Sequence, residues 1–421
     1  MRILHVADLM PGLHERVGGA EFVAQRMISE QAQAGVEIHL ATLPAQNHIS
    51  DAPWQRHFEF GNLDRYAHRL AYAVKQMYLP WDPVAARGLR RIIEQSNPDI
   101  IHYHNLHFSG LSVLRVARDA SIPSVKSIYD YWLFCPSNML RTSDGELCQR
   151  GHGKHCVDCV GSKRLRLLKP LKSMGFAQRP KIFSSLTATV DRFVVLSNAS
   201  RDMLIHHGIS ARCIHVIPQY IWTEAAESTA LRTPIPGRLL YVGWIEDRKG
   251  LLVLVDAFQR LADDFPELHI EVLGLPSNQT SYLESVHKRI SESGLESRVH
   301  FRGRISRDEL LGELKKAYLV MVPEQWENMS PVILTEAMAA GACTIASRVG
   351  GIKHFVEDRV SGLLADRDDG AGWAELIRFA MNNPEQVAAM AIAAQKRARS
   401  VFDPESINQA LSSMYHSMRT E

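Results

Sequence analysis

The chain has 421 residues, enough for two or three domains at roughly 150 residues each, and its 46% hydrophobic and 22% charged content is ordinary for a globular protein. A formal net charge of +2 argues against nucleic acid as a partner, and no run of about 18 apolar residues offers a transmembrane helix. The N-terminus passes straight into a strand without the charged, apolar and small segments of a signal peptide, so a cytoplasmic location is expected, with six cysteines unlikely to form structural disulfides.

In chain order, short apolar runs read as buried strands at Ile3–Ala7, Val36–Thr42, Ile100–His104, Ser124–Tyr129, Arg192–Leu196 and His215–Pro218. Helical patterns separate them, at Gly19–Ala34, Pro83–Ser96 and Leu111–Ala120 among others. Continuous apolar strands alternating with amphipathic helices predict a parallel sheet covered on both faces. Gly18-Gly19 opens the first helix, so its backbone N–H groups are candidates for a phosphate or acceptor contact, or simply make a tight turn.

The alternation fails between about 131 and 186. Four of the six cysteines cluster there as Cys135-x12-Cys148-x7-Cys156-x2-Cys159. Four thiols within 25 residues, ending in Cys-x2-Cys, suit a tetrahedral metal site. Structural zinc is the default, an iron–sulfur cluster the less favoured choice, and His152 or His155 a replacement for one thiol; free thiols or two disulfides are the alternative. Cys213 and Cys343 stand alone and read as core residues. A basic run follows, Lys163, Arg164, Arg166, Lys169, Lys172, Arg179 and Lys181, interspersed with Leu165, Leu167, Leu168, Leu171, Met174 and Phe176.

Residues 223–238 carry two prolines and no core pattern and read as a linker, placing an N-terminal domain at 1–222. A second strand–helix array, 239–402, has strands at Leu239–Gly243, Leu268–Leu273, Val299–Phe301, Tyr318–Val322 and Thr344–Ser347. The tail from Asp403 is one more helix. Two doubly wound α/β domains of this kind place a ligand cleft at the C-terminal ends of their strands.

Within the second array, the stretch from Pro323 to Gly341 is the most informative. A strand stops at a polar loop, Ser330 reads as an N-cap with Pro331 at the first helical position, and Glu336 lies one to two turns in. A bare helix N-terminus suits a diphosphate, and a carboxylate on the same helix suits a ribose diol. An ordinary βα unit is the alternative reading.

Taken together, Gly18-Gly19-Ala20-Glu21, His102-Tyr103-His104-Asn105, Val195-Leu196-Ser197, Val242-Gly243, Lys249-Gly250, the 323–341 stretch and Gly350-Gly351 give the chain a family likeness. It resembles the retaining glycosyltransferases of family 4, which have the two-Rossmann-domain GT-B architecture, over nearly its whole length. The resemblance implies transfer of a sugar from a nucleoside diphosphate sugar, with UDP or GDP donors the commonest, to a glycan or lipid-linked acceptor, with anomeric configuration retained and no metal in the chemistry.

By the same resemblance, Lys249 matches the diphosphate-binding lysine, with Arg248 beside it, and His104 matches the histidine whose imidazole contacts the donor sugar. Gly243, Met329 and Ser330 fall at donor-binding positions, and Glu336 at the ribose contact. The chain departs from the pattern in two places. Trp244 stands where an arginine is usual, and eight residues before Glu336 lies Asn328 rather than glutamate, with Glu327 one residue earlier. Either Asn328 or Glu327 fills that position. Asp130 carries over only weakly, because Tyr129 replaces a usual histidine. The basic segment falls where the family faces acceptors, and it reads either as a peripheral contact with anionic lipid at the inner face of a membrane or as a solvated helix. The tail helix is expected to pack back on the N-terminal domain. A same-fold epimerase or phosphorylase, and a metal-organised binding protein without turnover, remain alternatives. A dinucleotide oxidoreductase is disfavoured, since neither first strand is followed by Gly-x-Gly-x-x-Gly.

Overall fold

The computed structural model describes residues 1–15, 17–61, 82–160, 169–221, 232–277 and 280–420. Most of the expected linker, and Lys163 to Leu168 of the basic run, lie outside the described residues.

The chain forms two compact units, Met1–Tyr220 with Pro404–Glu421, and Ile221–Asp403. In chain order the first contains β1 (Arg2–Val6), α1 (Gly19–Gln33), β2 (Glu37–Thr42), β3 (Arg56–Glu59), α2 (Pro83–Ser96), β4 (Ile100–Tyr103), α3 (Leu114–Asp119), β5 (Ser124–Ile128), α4 (Cys156–Val160), α5 (Lys169–Thr187), β6 (Arg192–Val195), α6 (Asn198–His206) and β7 (Ile214–Val216). The second contains β8 (Arg238–Val242), α7 (Leu251–Gln259), β9 (His269–Leu273), α8 (Thr280–Glu292), β10 (Val299–Gly303), α9 (Arg307–Lys316), β11 (Leu319–Val322), α10 (Val332–Ala339), β12 (Cys343–Ser347), α11 (Ile352–Phe355), β13 (Leu363–Ala365), α12 (Gly370–Asn382) and α13 (Pro384–Val401). The last helix, α14 (Pro404–Thr420), returns to the first unit.

Both sheets are parallel and doubly wound. The strand orders are β3-β2-β1-β4-β5-β6-β7 and β10-β9-β8-β11-β12-β13. Strand order reverses between β1 and β4 and between β8 and β11, and such reversals open ligand crevices beyond the strand C-termini. The central strands β4, β11 and β12 are buried along their whole length, which is why they read as unbroken apolar runs. The short strands β3 and β13 were not expected. β3, Arg-His-Phe-Glu, lies at a sheet edge and is half exposed, so it carries no apolar run to betray it.

Helix starts follow capping chemistry. Asp82 accepts hydrogen bonds from the Val84 and Ala85 amides at 2.9 and 3.1 Å, with Pro83 at the first turn of α2. Ser306 and Glu309 form a reciprocal capping box at α9. The expected cap at Ser330 is corrected. The Ser330 amide donates to the Asn328 side chain at 3.1 Å, the helix starts at Val332 with Pro331 as N-cap, and the Ser330 hydroxyl makes no capping bond. The Asn328 side chain makes an Asx-type turn with the Ser330 amide ahead of the helix, which itself has no side-chain cap.

The first unit's core gathers Ile3, Ile38, Ile100, Val125 and Val194 from the sheet against Ile407, Leu411, Met414 and Tyr415 of α14. In the second unit, Trp373 and Phe258 are fully buried over one face of the sheet, and Met338, Ala394 and Phe402 over the other.

Candidate functional site

In the first unit, sheet register assembles a histidine cluster. His5 of β1 is the cross-strand partner of His102 on β4, and His104 follows two residues on, on the same face. The three rings stack, with centroids 4.6–5.3 Å apart, and are all but fully buried. Their hydrogen bonds run one way. His5 Nε2 donates to Gln31 Oε1 (3.0 Å), which leaves His5 Nδ1 to accept from His104 Nε2 (2.9 Å), and His104 Nδ1 to accept from the Tyr129 hydroxyl (2.7 Å). On the other branch, Gln31 Nε2 donates to the Tyr415 hydroxyl (3.1 Å), Tyr415 donates to His102 Nδ1 (2.7 Å), and His102 Nε2 donates to Ser127 Oγ (2.8 Å). This assignment requires all three imidazoles to be neutral. Burial lowers His5 to about 3 against the Gln31 hydrogen bond, and it pushes His102 and His104 well below the usual histidine range, with the Lys126 ammonium adding to it for those two. The nearby ammonium of Lys126, held by the His104 and Ser127 carbonyls, is itself lowered by burial to about 8.

The expectation that the His104 imidazole is presented to a donor sugar is therefore not what the structure shows. Both ring nitrogens are already satisfied inside the unit. Among the described residues, the metal-ligating side chains whose ligand atoms all lie within 4.8 Å of one another are these same three histidines, and their hydrogen bonds account for them. The four cysteines form no such group at that distance.

The neutral histidines give a pH prediction. Their folded-state pKa values lie below the unfolded value of about 6.5, so the unfolded chain gains protons first as pH falls. Their contribution is fully present above about pH 6.5 and is lost below it, at about 1.4 kcal/mol per pH unit for each histidine, or up to about 4 for three. The urea midpoint should drop steeply between pH 7 and pH 5.5. A flat midpoint would mean that the folded cluster accepts protons.

Beyond β4, the Asp8 carboxylate accepts the Phe108 and Ser109 amides at 2.5 and 3.1 Å and pins the loop that carries Asn105 and His107. His107 Nε2 lies 3.0 Å from Asp130 Oδ2. Burial works against both charges, but their mutual attraction prevails and raises His107 while lowering Asp130. Asp130 had only weak support from sequence and His107 was no more than a neighbour, yet they form an ion pair at this end of the sheet. At Gly18-Gly19, the expected open amide is partly filled: the Gly18 N–H donates to Glu21 Oε2 (2.8 Å), and Glu21 Oε1 accepts from Asn105 (3.0 Å).

In the second unit, the loops after β8 and β11 meet at the reversal point. β8 is followed directly by Gly243, where φ is 149°. A one-turn 3-10 helix, Asp247–Lys249, follows and is closed by Gly250 at φ 69°. A Cβ on Gly250 would stand 1.9 Å from the Pro323 carbonyl oxygen, so the two loops touch only because that residue is glycine. The contact brings Lys249 Nζ to 2.5 Å from Glu324 Oε1, and Trp326 Nε1 donates to Glu324 Oε2 at 2.6 Å. Arg248 lies over the Trp326 ring and pairs with Glu246 at 2.6 Å. Glu324 was missed by sequence reasoning.

Farther along the loop, Glu327 and Asn328 part company. Glu327 is half-buried, and its carboxylate accepts the Gly350 amide at 2.7 Å. Asn328 is buried, its side-chain Oδ1 accepts the Ser330 amide, and its carbonyl accepts from Gly351 at 2.9 Å. Met329 is fully buried and Ser330 nearly so, with no hydrogen-bond partner for the Ser330 hydroxyl. Glu336, inside α10, is buried and paired with Arg307 from the start of α9. Burial pushes its carboxyl above the usual range, against the pull of that guanidinium. A lysine, a helix N-terminus and a helix carboxylate at a sheet reversal can together hold a phosphorylated ligand.

The four insert cysteines are free thiols, three of them buried. Burial pushes Cys156 up to about 11, and Cys135, Cys159 and Cys148 each add to the cost of ionising it.

Comparison with known proteins matches residues 17–224 to the model of Glycosyltransferase Family 4 and residues 233–397 to that of Glycosyl transferases group 1. The chain is 30% identical over 193 residues to D-inositol 3-phosphate glycosyltransferase of Corynebacterium efficiens, covering 45% of each chain. It is 29% identical over 181 residues to glycogen synthase of Mycobacterium tuberculosis, covering 43% of this chain and 42% of that one. It thus spans less than half the length of these relatives. Among solved structures, Anabaena HepE in complex with UDP-glucose superposes with a TM-score of 0.70 at 18% identity, over 99% of this chain and 100% of that one. Sucrose-phosphate synthase from Thermosynechococcus elongatus gives 0.71 at 17% identity, over 99% of each. The fold is GT-B.

Proposed function

We propose, from the two glycosyltransferase matches and the second unit's geometry, that this chain transfers a sugar from a nucleoside diphosphate sugar to an acceptor hydroxyl with retention of configuration. The observation that carries the reading is Lys249, held by Glu324 at the β8–β11 reversal beside the loop that leads into α10. As the glycosidic bond breaks, negative charge grows on the departing diphosphate. Lys249 and the first amides of α10 are fixed in advance to receive it, which is how preorganised donors lower such a barrier. Arg248 supplies a second cation nearby. Glu336 receives the ribose hydroxyls once Arg307 yields. Glu327 takes the donor-sugar position rather than Asn328, because the Asn328 side chain is buried with its Oδ1 taken up by the Ser330 amide while Glu327 stays half-exposed. UDP is the preferred nucleotide, since HepE, of the same fold, has been captured with UDP and UDP-glucose.

The acceptor is a lipid-linked glycan precursor met at the inner face of a membrane. On α5, Leu171 and Met174 lie one turn apart and are 55% and 65% exposed, beside Lys169 and Lys172. No described helix is long and apolar enough to cross a membrane, so contact would be peripheral.

The test is a thermal-shift series with UDP, GDP, ADP, TDP, CDP and NAD(P), since a ligand selective for the folded state raises the melting temperature by mass action. UDP is expected to give the largest shift, about 2.7 kcal/mol of stabilisation at a hundredfold excess over Kd. A shift with NAD(P) alone, or with none of them, would overturn the reading. Proton NMR of the product anomer then decides retention, and flotation with anionic vesicles decides membrane contact.

A further inference from the structure

Between β5 and α5 the apolar burial is concentrated at the start, in Tyr131, Trp132, Leu133, Phe134 and Leu140, whereas from 141 to 160 the buried apolar side chains are Cys148, Cys156 and Val157. Cys156 and Val157 pack with Phe176 of α5. The backbone nevertheless doubles back several times around one spot. Arg141 pairs antiparallel with Leu147, and the Cys148 amide donates to the Leu140 carbonyl at 2.6 Å. Cys156 and Cys159 are one turn apart on α4, so their side chains share a face. Cys156 Sγ accepts the Gly153 amide at 3.4 Å and lies 3.7 Å from the Gly151 carbonyl. Gly151 itself abuts the chain next to Cys135: a Cβ there would stand 3.5 Å from the Phe134 carbonyl oxygen. Cys148 Sγ lies 4.0 Å from His155, the residue preceding Cys156. The turn at Cys135, the hairpin at Cys148 and the helix at Cys156 and Cys159 therefore converge.

We infer that Cys135, Cys148, Cys156 and Cys159 form a structural zinc site that clamps this insert onto the end of the first unit's sheet. Small segments without a sufficient core take much of their folding free energy from a bound metal. Of the two local histidines, His155 Nε2 donates to the Gly151 carbonyl at 2.9 Å and lies 4.0 Å from Cys148 Sγ. His152 Nδ1 accepts from Arg179 at 3.2 Å, and its buried Nε2 has no hydrogen-bond partner among the described residues. The all-sulfur set is chosen on the spacing of the four cysteines. Charge agrees. Four thiolates around a divalent cation carry a net charge of −2, and the Arg179 guanidinium, 1% exposed above Phe183, is a buried cation close enough to feel Cys156 and Cys135. Binding draws the sulfurs inward to about 2.3 Å from the metal.

The clamp has a target. Tyr131 O accepts the Phe134 and Cys135 amides, so the first ligand is tied directly to the segment Asp130–Trp132. Asp130 pairs with His107, and the Trp132 ring lies 5.0 Å from that same imidazole. Fixing Cys135 thus fixes the Asp130–His107 pair at the end of β4.

The experiment uses the full chain purified under reducing conditions. Elemental analysis should give one zinc per chain, and an organomercurial should release it as four thiols are titrated. Cobalt exchanged into the site should show the visible ligand-field bands of tetrahedral thiolate coordination. Cys159→Ser, at the least buried of the four, should lower bound zinc roughly tenfold and reduce the melting temperature, while Cys213→Ser should change neither. If Cys159→Ser does not fold, metal content and cobalt spectrum of the unaltered chain still decide. Folded chain without metal whose four thiols react freely would overturn the site. Iron and sulfide in place of zinc would overturn the zinc assignment.

Discussion

Lys249→Ala is expected to lower kcat/KM for the donor by about 10²- to 10³-fold, the usual loss when one preorganised charge partner of a departing anion is removed. It is also expected to cost stability. Glu324 is 2% exposed, and without the ammonium at 2.5 Å its carboxylate is left as a buried charge supported, among the described residues, by Trp326 Nε1 alone. Breaking one side of such a pair costs about 3–5 kcal/mol. The two effects separate in the double variant Lys249→Met with Glu324→Gln, which removes both charges together. That protein should recover most of its melting temperature and none of its turnover. Recovery of turnover as well would eliminate Lys249 as the diphosphate's partner.

Gly350→Ala is expected to be nearly as damaging, although it adds one methyl group. Gly350 has φ 48°, and a Cβ there would lie 2.1 Å from the Asn328 carbonyl oxygen and 2.7 Å from the Glu327 carbonyl carbon. Both neighbours are backbone and cannot swing aside. The Gly350 amide donates to Glu327 and the Gly351 amide to Asn328, so the displaced loop also loses hydrogen bonds. A loss of about 2–4 kcal/mol is expected, together with weaker binding of nucleoside diphosphate. Gly294→Ala is the control. Its φ of 64° is similar, but nothing lies within 4 Å of the added carbon, so only the backbone penalty of about 1 kcal/mol remains. Equal urea midpoints for the two variants would show that close packing at Gly350 is unimportant.

The parallel architecture was readable because burial on both faces writes itself as continuous apolar strands, as in Leu319–Val322. Edge strands have no such signature, and β3 escaped for that reason. Lys249 could be singled out through the family resemblance, and Glu336 through its place one to two turns past a helix start as well. Glu324 could not. A carboxylate in a polar loop has no periodicity, and its partner is 75 residues away. The histidine relay shows the same limit. His102 and His104 alternate visibly, but only the register of β1 against β4 brings His5 beside them. Without that partner, His104 read as a group facing a ligand. At Ser330-Pro331, local propensity pointed to a cap at Ser330, but the helix starts at Val332 with Pro331 as N-cap and no side-chain capping bond.

The first unit is discontinuous in sequence: α14 supplies Tyr415 and much of one core face only after the entire second unit, Ile221–Asp403, has been made. During synthesis at about 5–20 residues per second, the N-terminal segment therefore waits on the order of ten seconds or more with His102 and Gln31 lacking their shared hydroxyl. The second unit has no such debt and can reach its native state first. The nascent chain is thus expected to mature from the second unit outward, with the N-terminal segment most exposed to chaperones and proteases until α14 leaves the ribosome.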